Sequence, residues 1–213
     1  MREHCPVVVL ISGNGSNLQA LIDASVNSNF NIVGVISNKA DAFGLERASK
    51  KAIPTFVIDH RDFPDRVTFD RALIAQIDQL DPALVVLAGF MRILSSEFVQ
   101  HYPNNILNIH PSLLPKYPGT NTHQRVLNAG DQEHGVSVHF VTEELDGGPI
   151  AGHAKIMVSP EDTAETLAEK IHRKEHLLYP HVVSLFASGR LEMVNNKAWI
   201  DHQEMAKTGL ELR

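Results

Sequence analysis

The chain has 213 residues and a mass of 23.6 kDa, which fits one compact domain because domains usually run about 100–200 residues. Hydrophobic residues make up 43% and charged residues 21%, a globular composition that excludes disorder, collagen and coiled coil. The net charge of −6 provides no basic field for a nucleic-acid backbone, so we expect no nucleic-acid partner. A lone cysteine, Cys5, and an apolar N-terminal run that ends at Ile11 predict no disulfide and no secretory or membrane segment, and hence a cytoplasmic protein.

The first half of the sequence alternates short apolar strands with helices. A β-branched run over 6–12 predicts a strand buried on both faces, and the loop 13–17 leads into a helix whose first turn Ser16 or Asn17 is expected to cap. The unit then repeats, with strands predicted at 32–36, 55–58 and 83–88 and helices at 42–51 and 65–80. This alternation is typical of a parallel sheet with right-handed crossovers.

The second half begins with a strand at 105–109, a proline-rich loop at 110–119 and a helix at about 121–129. Residues 135–141 place Val136, Val138 and Phe140 in alternation, which predicts a half-solvated strand with 150–158 as its neighbour. A long helix at about 162–187 follows, and the remaining residues are interpreted as a peripheral extension. The predicted class is α/β, with a doubly wound, mostly parallel open sheet, helices on both faces and a Rossmann-like N-terminal half.

The loop 13–17 has the features of an anion-binding turn. It opens a helix directly after a buried strand, where main-chain N–H groups and the helix dipole converge, and Ser16 and Asn17 can add donors. A dinucleotide fingerprint would need a glycine where Leu18 stands, and a P-loop would need a lysine followed by Ser or Thr, so neither is expected. The pattern alone leaves a plain strand-to-helix turn as the alternative.

Asn108 and His110 stand at the carboxyl end of a predicted strand, where open α/β sheets bind ligands. Alternation places both on one face, so an amide donor and an imidazole could meet the oxygen of a carbonyl under attack. Asp146, followed by Gly-Gly-Pro, would raise the pKa of His110 and keep the imidazole cationic if it lay beside it. The alternatives are a satisfied Asn and His at a strand end and an Asp that only forms a turn.

Two further motifs have competing interpretations. His172, Glu175 and His176 match the inverted zinc-peptidase pattern H-x-x-E-H, but no third ligand is identifiable, so we expect no metal. The apolar strand at 83–88 runs on into a loop at 89–94 that still carries Phe, Met, Ile and Leu. That loop either packs into the core or lines an apolar slot for a flat ring system.

Several segments of the chain, taken together, carry a resemblance to a known family. They are ISGNGSNLQALI (11–22), SNKADA (37–42), LAGFMRIL (87–94), NIHPSLLP (108–115) and LDGGP (145–149). In order and spacing they closely resemble the folate-dependent formyltransferase family, and within it the branch that acts on phosphoribosylglycinamide in de novo purine synthesis. Members that act on methionyl-tRNA or on free folate carry a further domain, which 213 residues do not accommodate, so we expect neither of those activities.

The resemblance implies transfer of the formyl group of 10-formyltetrahydrofolate, a co-substrate, to the primary amine of 5-phosphoribosylglycinamide by direct attack of the amine. It implies one formyltransferase domain over 1–213, with a phosphate-binding half at 1–100 and a folate and catalytic half at 101–213. The implied catalytic residues are Asn108, His110 and Asp146, which would stabilise a tetrahedral intermediate. The residues implied for the ribonucleotide are Gly15, Ser16, Asn17, His172, Arg173, Lys174 and Glu175. Those implied for the folate are Arg66, Met91, Arg92, Ile93, Leu94, Asn108, Thr142, Glu143, Glu144, Leu145 and Asp146.

The resemblance implies no metal and no covalent enzyme intermediate. The expected partners are the two small-molecule substrates, and the expected assembly is a monomer or a weak homodimer. The chain departs from its relatives at His172, where they often have Gln, and at Thr120 and Asn121. Two other functions stay open at this point: a folate or nucleotide sensor without catalysis, and a zinc hydrolase.

Overall fold

The computed structural model describes residues 4–212, which divide into two compact units with a boundary between Leu107 and Asn108. The strands are β1 (Cys5–Ile11), β2 (Phe30–Ser37), β3 (Thr55–Val57), β4 (Leu84–Leu87), β5 (Ile106–His110), β6 (Glu133–Phe140), β7 (Ile150–Met157), β8 (Leu191–Val194), β9 (Lys197–Ile200), β10 (Gln203–Glu204) and β11 (Leu210–Leu212). The helices are α1 (Ser16–Ser25), α2 (Phe43–Ser49), α3 (Arg66–Asp78), α4 (Ser96–His101), α5 (Thr122–Ala129) and α6 (Ala164–Ala187), and His60–Asp62 forms a 3-10 turn.

The first unit is a parallel α/β sheet. Its strands lie in the order β4-β1-β2-β3, and β1 pairs in parallel with both β2 and β4. All of β4, and β1 from its second residue onward, are buried, as the unbroken apolar runs predict. Because β1 ends at Ile11, Ser12 and the loop 13–17 lie at the carboxyl edge of this sheet.

The second unit combines parallel and antiparallel pairing. β6 pairs with β7 in the antiparallel sense, β11 pairs with β7 in parallel, and α6 packs on β6 and β7. α6 begins in a capping box, in which Thr163 Oγ1 accepts from the N–H of Thr166 and Thr166 Oγ1 accepts from the N–H of Thr163. β8, β9 and β10 form a separate antiparallel sheet.

The predicted α/β class with a mostly parallel sheet is confirmed. The strands and helices predicted for the first half correspond to β1–β4 and α1–α3, with ends that differ by a few residues. The predicted cap of α1 is wrong, because the residue before the helix is Gly15 with φ 74°, Ser16 is already helical, and no side chain caps α1 among the described residues. The short helix α4 and the strands β8–β11 were not predicted.

The prediction of a half-solvated strand at 135–141 is also wrong. Every residue of β6 from His134 to Phe140 is buried. Its polar members have partners inside the unit: the Ser137 hydroxyl donates to the main-chain oxygen of Ser112 over 2.8 Å, and His139 Nδ1 lies 2.9 Å from the main-chain oxygen of Phe140. A strand with satisfied polar side chains on its second face can be buried on both faces.

Candidate active site

A cluster of four polar side chains lies within the second unit. β5 carries Asn108 and His110, β6 carries His139, and Asp146 lies in the connection from β6 to β7. His110 Nδ1 is 3.5 Å from Asp146 Oδ2, and His139 Nε2 is 3.6 Å from Asp146 Oδ1. Asn108 Nδ2 is 3.1 Å from His139 Nε2. Asp146 is therefore flanked by two imidazoles, and the three residues singled out in the sequence belong to one cluster.

Sequence reasoning did not single out His139. It is 2% exposed, and its Nδ1 donates to the main-chain oxygen of Phe140, so Nε2 is left to accept from the amide of Asn108. The second hydrogen of that amide remains for another acceptor. The signal that could have revealed His139 is its position one alternation after Ser137 on a strand that neighbours β5.

The carboxylate of Asp146 is buried and is held by a main-chain hydrogen bond. The N–H of Gly119 donates to Asp146 Oδ2 over 2.8 Å, and the side chain of Asp146 is only 8% exposed. Burial raises the pKa of Asp146, but His139, the N–H of Gly119 and the neighbouring His110 outweigh it, and the pKa lies below its ordinary 3.8. Asp146 is consequently a carboxylate at neutral pH.

The expectation that Asp146 keeps His110 cationic is wrong. His110 is 6% exposed, and burial lowers its pKa below the ordinary 6.5, while the Tyr117 carbonyl and the Asp146 charge offset this only in part. His110 Nε2 donates to the main-chain oxygen of Tyr117 over 2.9 Å, so this nitrogen carries a proton. A neutral imidazole with its N–H on Nε2 therefore stands beside the carboxylate.

The proline-rich loop after β5 has a fixed shape, as its composition predicts. The Ser112 hydroxyl donates to the main-chain oxygen of Lys116 over 2.6 Å, and the N–H of Leu114 donates to the Ser137 hydroxyl over 3.1 Å. Tyr117 has a φ of 57°, and its hydroxyl donates to Asp131 over 3.0 Å. These contacts hold the Tyr117 carbonyl against His110.

The glycines after Asp146 pack closely against neighbouring parts of the chain. A Cβ on Gly148 would lie 1.9 Å from the main-chain oxygen of Phe140, and one on Gly147 would lie 2.4 Å from the side chain of Glu144. The missing side chain of Gly148 thus lets this connection pack directly against the end of β6.

The anion-binding turn predicted at 13–17 belongs to the first unit. Gly15 has a φ of 74°, and a Cβ there would lie 2.7 Å from the Cα of Gly44, whose N–H donates to the main-chain oxygen of Gly13 over 3.0 Å. Arg47 Nε donates to the main-chain oxygen of Asn14 over 2.8 Å, and its Nη2 donates to Asn14 Oδ1 over 2.9 Å. The turn is rigid, and an anion can take the place of the missing side-chain cap of α1.

The segment predicted to meet a flat ring is divided between core and surface. Phe90 is buried, whereas Met91 and Ile93 are 68% and 57% exposed. The other residues implied for the folate are half-buried at Arg92, Leu94, Asn108 and Thr142 and exposed at Arg66, Glu143, Glu144 and Leu145. Packing into the core is therefore confirmed for Phe90, and a ring site at Met91 and Ile93 stays a prediction.

The residues on α6 that carry the H-x-x-E-H pattern differ in exposure. His172 and Arg173 are exposed, Lys174 is half-buried and Glu175 is buried. The rings of His172 and His176 lie nearly parallel, with 6.3 Å between their centroids. Among residues 4–212, no group of three or more His, Cys, Asp or Glu side chains is arranged to hold a metal ion. No helix in that range has the length and apolar character needed to cross a membrane.

The chain is similar to known proteins in its family match, its sequence and its structure. Residues 5–183 match the family described as formyl transferase. The chain is 54% identical over 205 residues to the phosphoribosylglycinamide formyltransferase of Escherichia coli strain K12, covering 95% of this chain and 97% of that protein. It is 46% identical over 192 residues to the human trifunctional purine biosynthetic protein adenosine-3, covering 89% of this chain and 19% of that protein. The solved structure of the phosphoribosylglycinamide formyltransferase from Coxiella burnetii, in complex with CHES, matches with a TM-score of 0.95 and 52% identity, covering 99% of this chain and 100% of that one.

Proposed function

Because this chain belongs to the formyl transferase family, we propose that it transfers the formyl group of 10-formyltetrahydrofolate to the primary amine of 5-phosphoribosylglycinamide in de novo purine biosynthesis. The observation that carries the proposed chemistry is the approach of His110 Nδ1 to Asp146 Oδ2 at 3.5 Å, beside the amide of Asn108. An imidazole N–H, an amide N–H and a carboxylate within one cluster are the groups that acyl transfer without a covalent enzyme intermediate requires.

The first step is attack of the amine on the formyl carbon, which turns the carbonyl oxygen into an oxyanion. We assign stabilisation of this oxyanion to Asn108 Nδ2 and to the N–H of His110 Nε2. Loss of one such donor typically costs about 2.7–4 kcal/mol of transition-state stabilisation. The main-chain oxygen of Tyr117 now accepts from His110 Nε2, so the formyl oxygen replaces it as the acceptor when the substrate binds.

The second step breaks the bond between the formyl carbon and the folate nitrogen. The attacking amine must lose a proton and the departing nitrogen must gain one, so a single group can serve both. We assign this transfer to His110, whose lowered pKa leaves it neutral and able to accept a proton. Asp146 stabilises the imidazolium while the proton is held.

We further assign the binding residues by their match to the family. The turn at 13–17 binds the phosphate through Gly15, Ser16 and Asn17. The rest of the ribonucleotide is bound by Glu175 and its neighbours His172, Arg173 and Lys174. The folate is bound by the segments 91–94 and 142–146 together with Arg66. The rigid turn without a side-chain cap and the exposed apolar side chains of Met91 and Ile93 support this assignment.

The same proposal includes the organisation of the protein. Residues 1–213 act as one formyltransferase domain, in which the part up to residue 100 provides the phosphate site and the part from 101 provides the folate and catalytic site. The protein needs no metal, has no nucleic-acid partner, works in the cytoplasm, and is a monomer or a weak homodimer.

A transfer assay with three acceptors tests the function. The purified protein and 10-formyltetrahydrofolate are incubated with phosphoribosylglycinamide, with its dephosphorylated form, or with water alone, and tetrahydrofolate release is followed. We expect efficient turnover with the first acceptor only, and equal activity in the presence of a chelator. Folate binding without transfer would indicate a sensor, equal rates with water would indicate a hydrolase, and loss of activity with chelator would indicate the zinc enzyme.

A further inference from the structure

Two buried side chains hold the segment between β4 and α4, residues 89–95, by its main chain. The N–H of Met91 donates to the Ser12 hydroxyl over 2.8 Å, and the N–H of Ser95 donates to Asp70 Oδ2 over 2.5 Å. Ser12 is 5% exposed and Asp70 is 1% exposed. All these residues belong to the first unit. The main chain of the segment is therefore fixed at two points, which also fixes the positions of the residues between them.

The orientation of the Ser12 hydroxyl is itself fixed by a second buried residue. The hydroxyl donates to Asn38 Oδ1 over 2.6 Å, which turns the lone pairs of its oxygen towards the N–H of Met91. Asn38 is 1% exposed, and its Nδ2 lies 3.2 Å from His60 Nδ1. A buried chain of hydrogen bonds thus extends from the end of β2 to the segment 89–95.

Burying Asp70 to make the second contact, with Ser95, lowers the stability of the folded protein. Its Oδ1 is buried without a hydrogen-bond partner among the described residues, and burial raises its pKa, although Ser95, Arg66 and Arg92 oppose this. A buried acid with one unpaired oxygen costs stability compared with an apolar side chain of similar size. Asp70 therefore has a role other than stability, and its contact with the main chain of Ser95 provides one.

The held segment presents its apolar side chains outward. Met91 and Ile93 are 68% and 57% exposed, whereas Phe90 before them is buried. Exposed apolar side chains on a mobile loop would collapse onto each other or onto the sheet, because apolar surface avoids water. Because the main chain is hydrogen-bonded on both sides of Arg92, this collapse is prevented. The conformational entropy of the segment is then lost during folding and not during ligand binding.

We propose that Ser12, Asn38 and Asp70 are positioning residues that hold the segment 89–95 so that Met91 and Ile93 form a preformed apolar edge for the pterin ring of the folate. The inference rests on the proposed function, because it concerns how that folate site is built. None of the three needs to touch the substrate.

Ser12→Ala provides the main test, with equilibrium binding as the measurement. The dissociation constants of tetrahydrofolate and of phosphoribosylglycinamide are measured separately by calorimetry, so that no turnover is required. Loss of one buried hydrogen bond corresponds to about a tenfold change, so we expect tetrahydrofolate to bind about tenfold more weakly and the ribonucleotide to change by less than about twofold. Ser12→Thr retains the hydroxyl and should restore folate binding.

Ser37→Ala is the matched control. Ser37 is also fully buried at a strand end of the same sheet, but its hydroxyl donates to the main-chain oxygen of Lys39 over 2.8 Å and accepts from the N–H of Lys39 over 3.1 Å. The control should leave both dissociation constants unchanged. Asp70→Ala, which removes the other contact, should weaken tetrahydrofolate binding in the same way as Ser12→Ala.

The outcomes separate this inference from the proposed function. If the wild-type protein binds no tetrahydrofolate, the proposed function fails, and the inference fails with it. If it binds tetrahydrofolate and both Ser12→Ala and Asp70→Ala bind it equally well, only the inference is overturned. A Ser12→Ala protein that loses ribonucleotide binding instead would also overturn it, because Ser12 would then serve the phosphate turn.

Hydrogen exchange in the wild-type protein keeps the inference testable if a variant does not fold. The amides of Met91 and Ser95 should exchange about a hundredfold or more slower than an unprotected amide, because both are bonded to buried acceptors. Rapid exchange at both positions would mean that the segment is not held, and would overturn the inference.

Discussion

Replacing His134 by glutamine should make the free energy of unfolding less sensitive to acid. His134 is the second residue of β6 and is 1% exposed, and its Nε2 lies 2.9 Å from Nδ1 of His123. Burial, together with the charge that His123 can carry, lowers the pKa of His134 from 6.5 to about 4, and Asp131 opposes this only in part. Glutamine keeps a polar group at this position but does not titrate.

The magnitude follows from the proton balance between the folded and unfolded states. Between about pH 6.5 and pH 4 the unfolded chain binds a proton at His134 that the folded protein does not, so stability falls as the pH falls through this window. The pKa difference corresponds to about 3 kcal/mol over the whole window, of which about 2 kcal/mol is lost between pH 7 and pH 5.

Urea unfolding at pH 7 and pH 5 measures the effect. The wild-type free energy of unfolding should fall by about 2 kcal/mol more between these pH values than that of His134→Gln. His202→Gln is the control, because the His202 side chain is 90% exposed, and it should lose as much stability as the wild type. Equal losses in the wild type and His134→Gln would refute the argument that His134 is buried in its neutral form.

Four further substitutions address the proposed catalytic residues and the proposed phosphate turn. His110→Ala or Asp146→Asn should lower kcat by about a hundredfold to a thousandfold and leave the Kd of the ribonucleotide within about twofold, and the opposite pattern in steady-state kinetics and calorimetry would make them binding residues. Gly15→Ala requires a Cβ at positive φ, 2.7 Å from the Cα of Gly44, so it should displace the turn and raise KM for phosphoribosylglycinamide at least about tenfold. Ser16→Ala should raise the same KM by about threefold to tenfold, and a variant that discriminates the phosphorylated from the dephosphorylated acceptor as well as the wild type does would remove Ser16 from the phosphate site.

Sequence reasoning succeeded where one physical effect dominates. The unbroken apolar runs of β1 and β4 can only be strands or buried helices, and their length and flanking turns favour strands. Asn108 and His110 share a strand face by alternation, and the family motif pairs them with Asp146. The structure places all three in one cluster, although their catalytic roles stay a prediction.

Sequence reasoning failed where hydrogen-bond partners from other elements outweigh the local pattern of polar and apolar residues. Ser137 and His139 indicate a solvated strand face, yet both are buried because β5 and the loop after it supply their hydrogen-bond partners. The protonation of His110 also depends on tertiary structure, since the balance between burial and the charge of Asp146 cannot be deduced from spacing.

The unpredicted strands near the end of the chain had a recognisable signal. Asn195 and Asn196 both have positive φ, 51° and 58°, and they connect β8 to β9 in the two-residue hairpin that favours such residues. α4 offered less, because it has six residues and one fully buried apolar side chain, Phe98. Short elements of this kind take their stability from neighbours rather than from their own periodicity.

The pairing of β11 with β7 has a consequence for how the protein is made. β7 contains five consecutive buried residues from Ile150 to Ala154, and the side of it that does not pair with β6 is covered by β11 through Leu210 and Gly152. In a newly made chain this strand therefore presents an open row of main-chain donors and acceptors until residues 210–212 pair with it. An uncovered strand edge is a template for misassembly between chains, so the pairing of residues 210–212 with β7 removes this hazard.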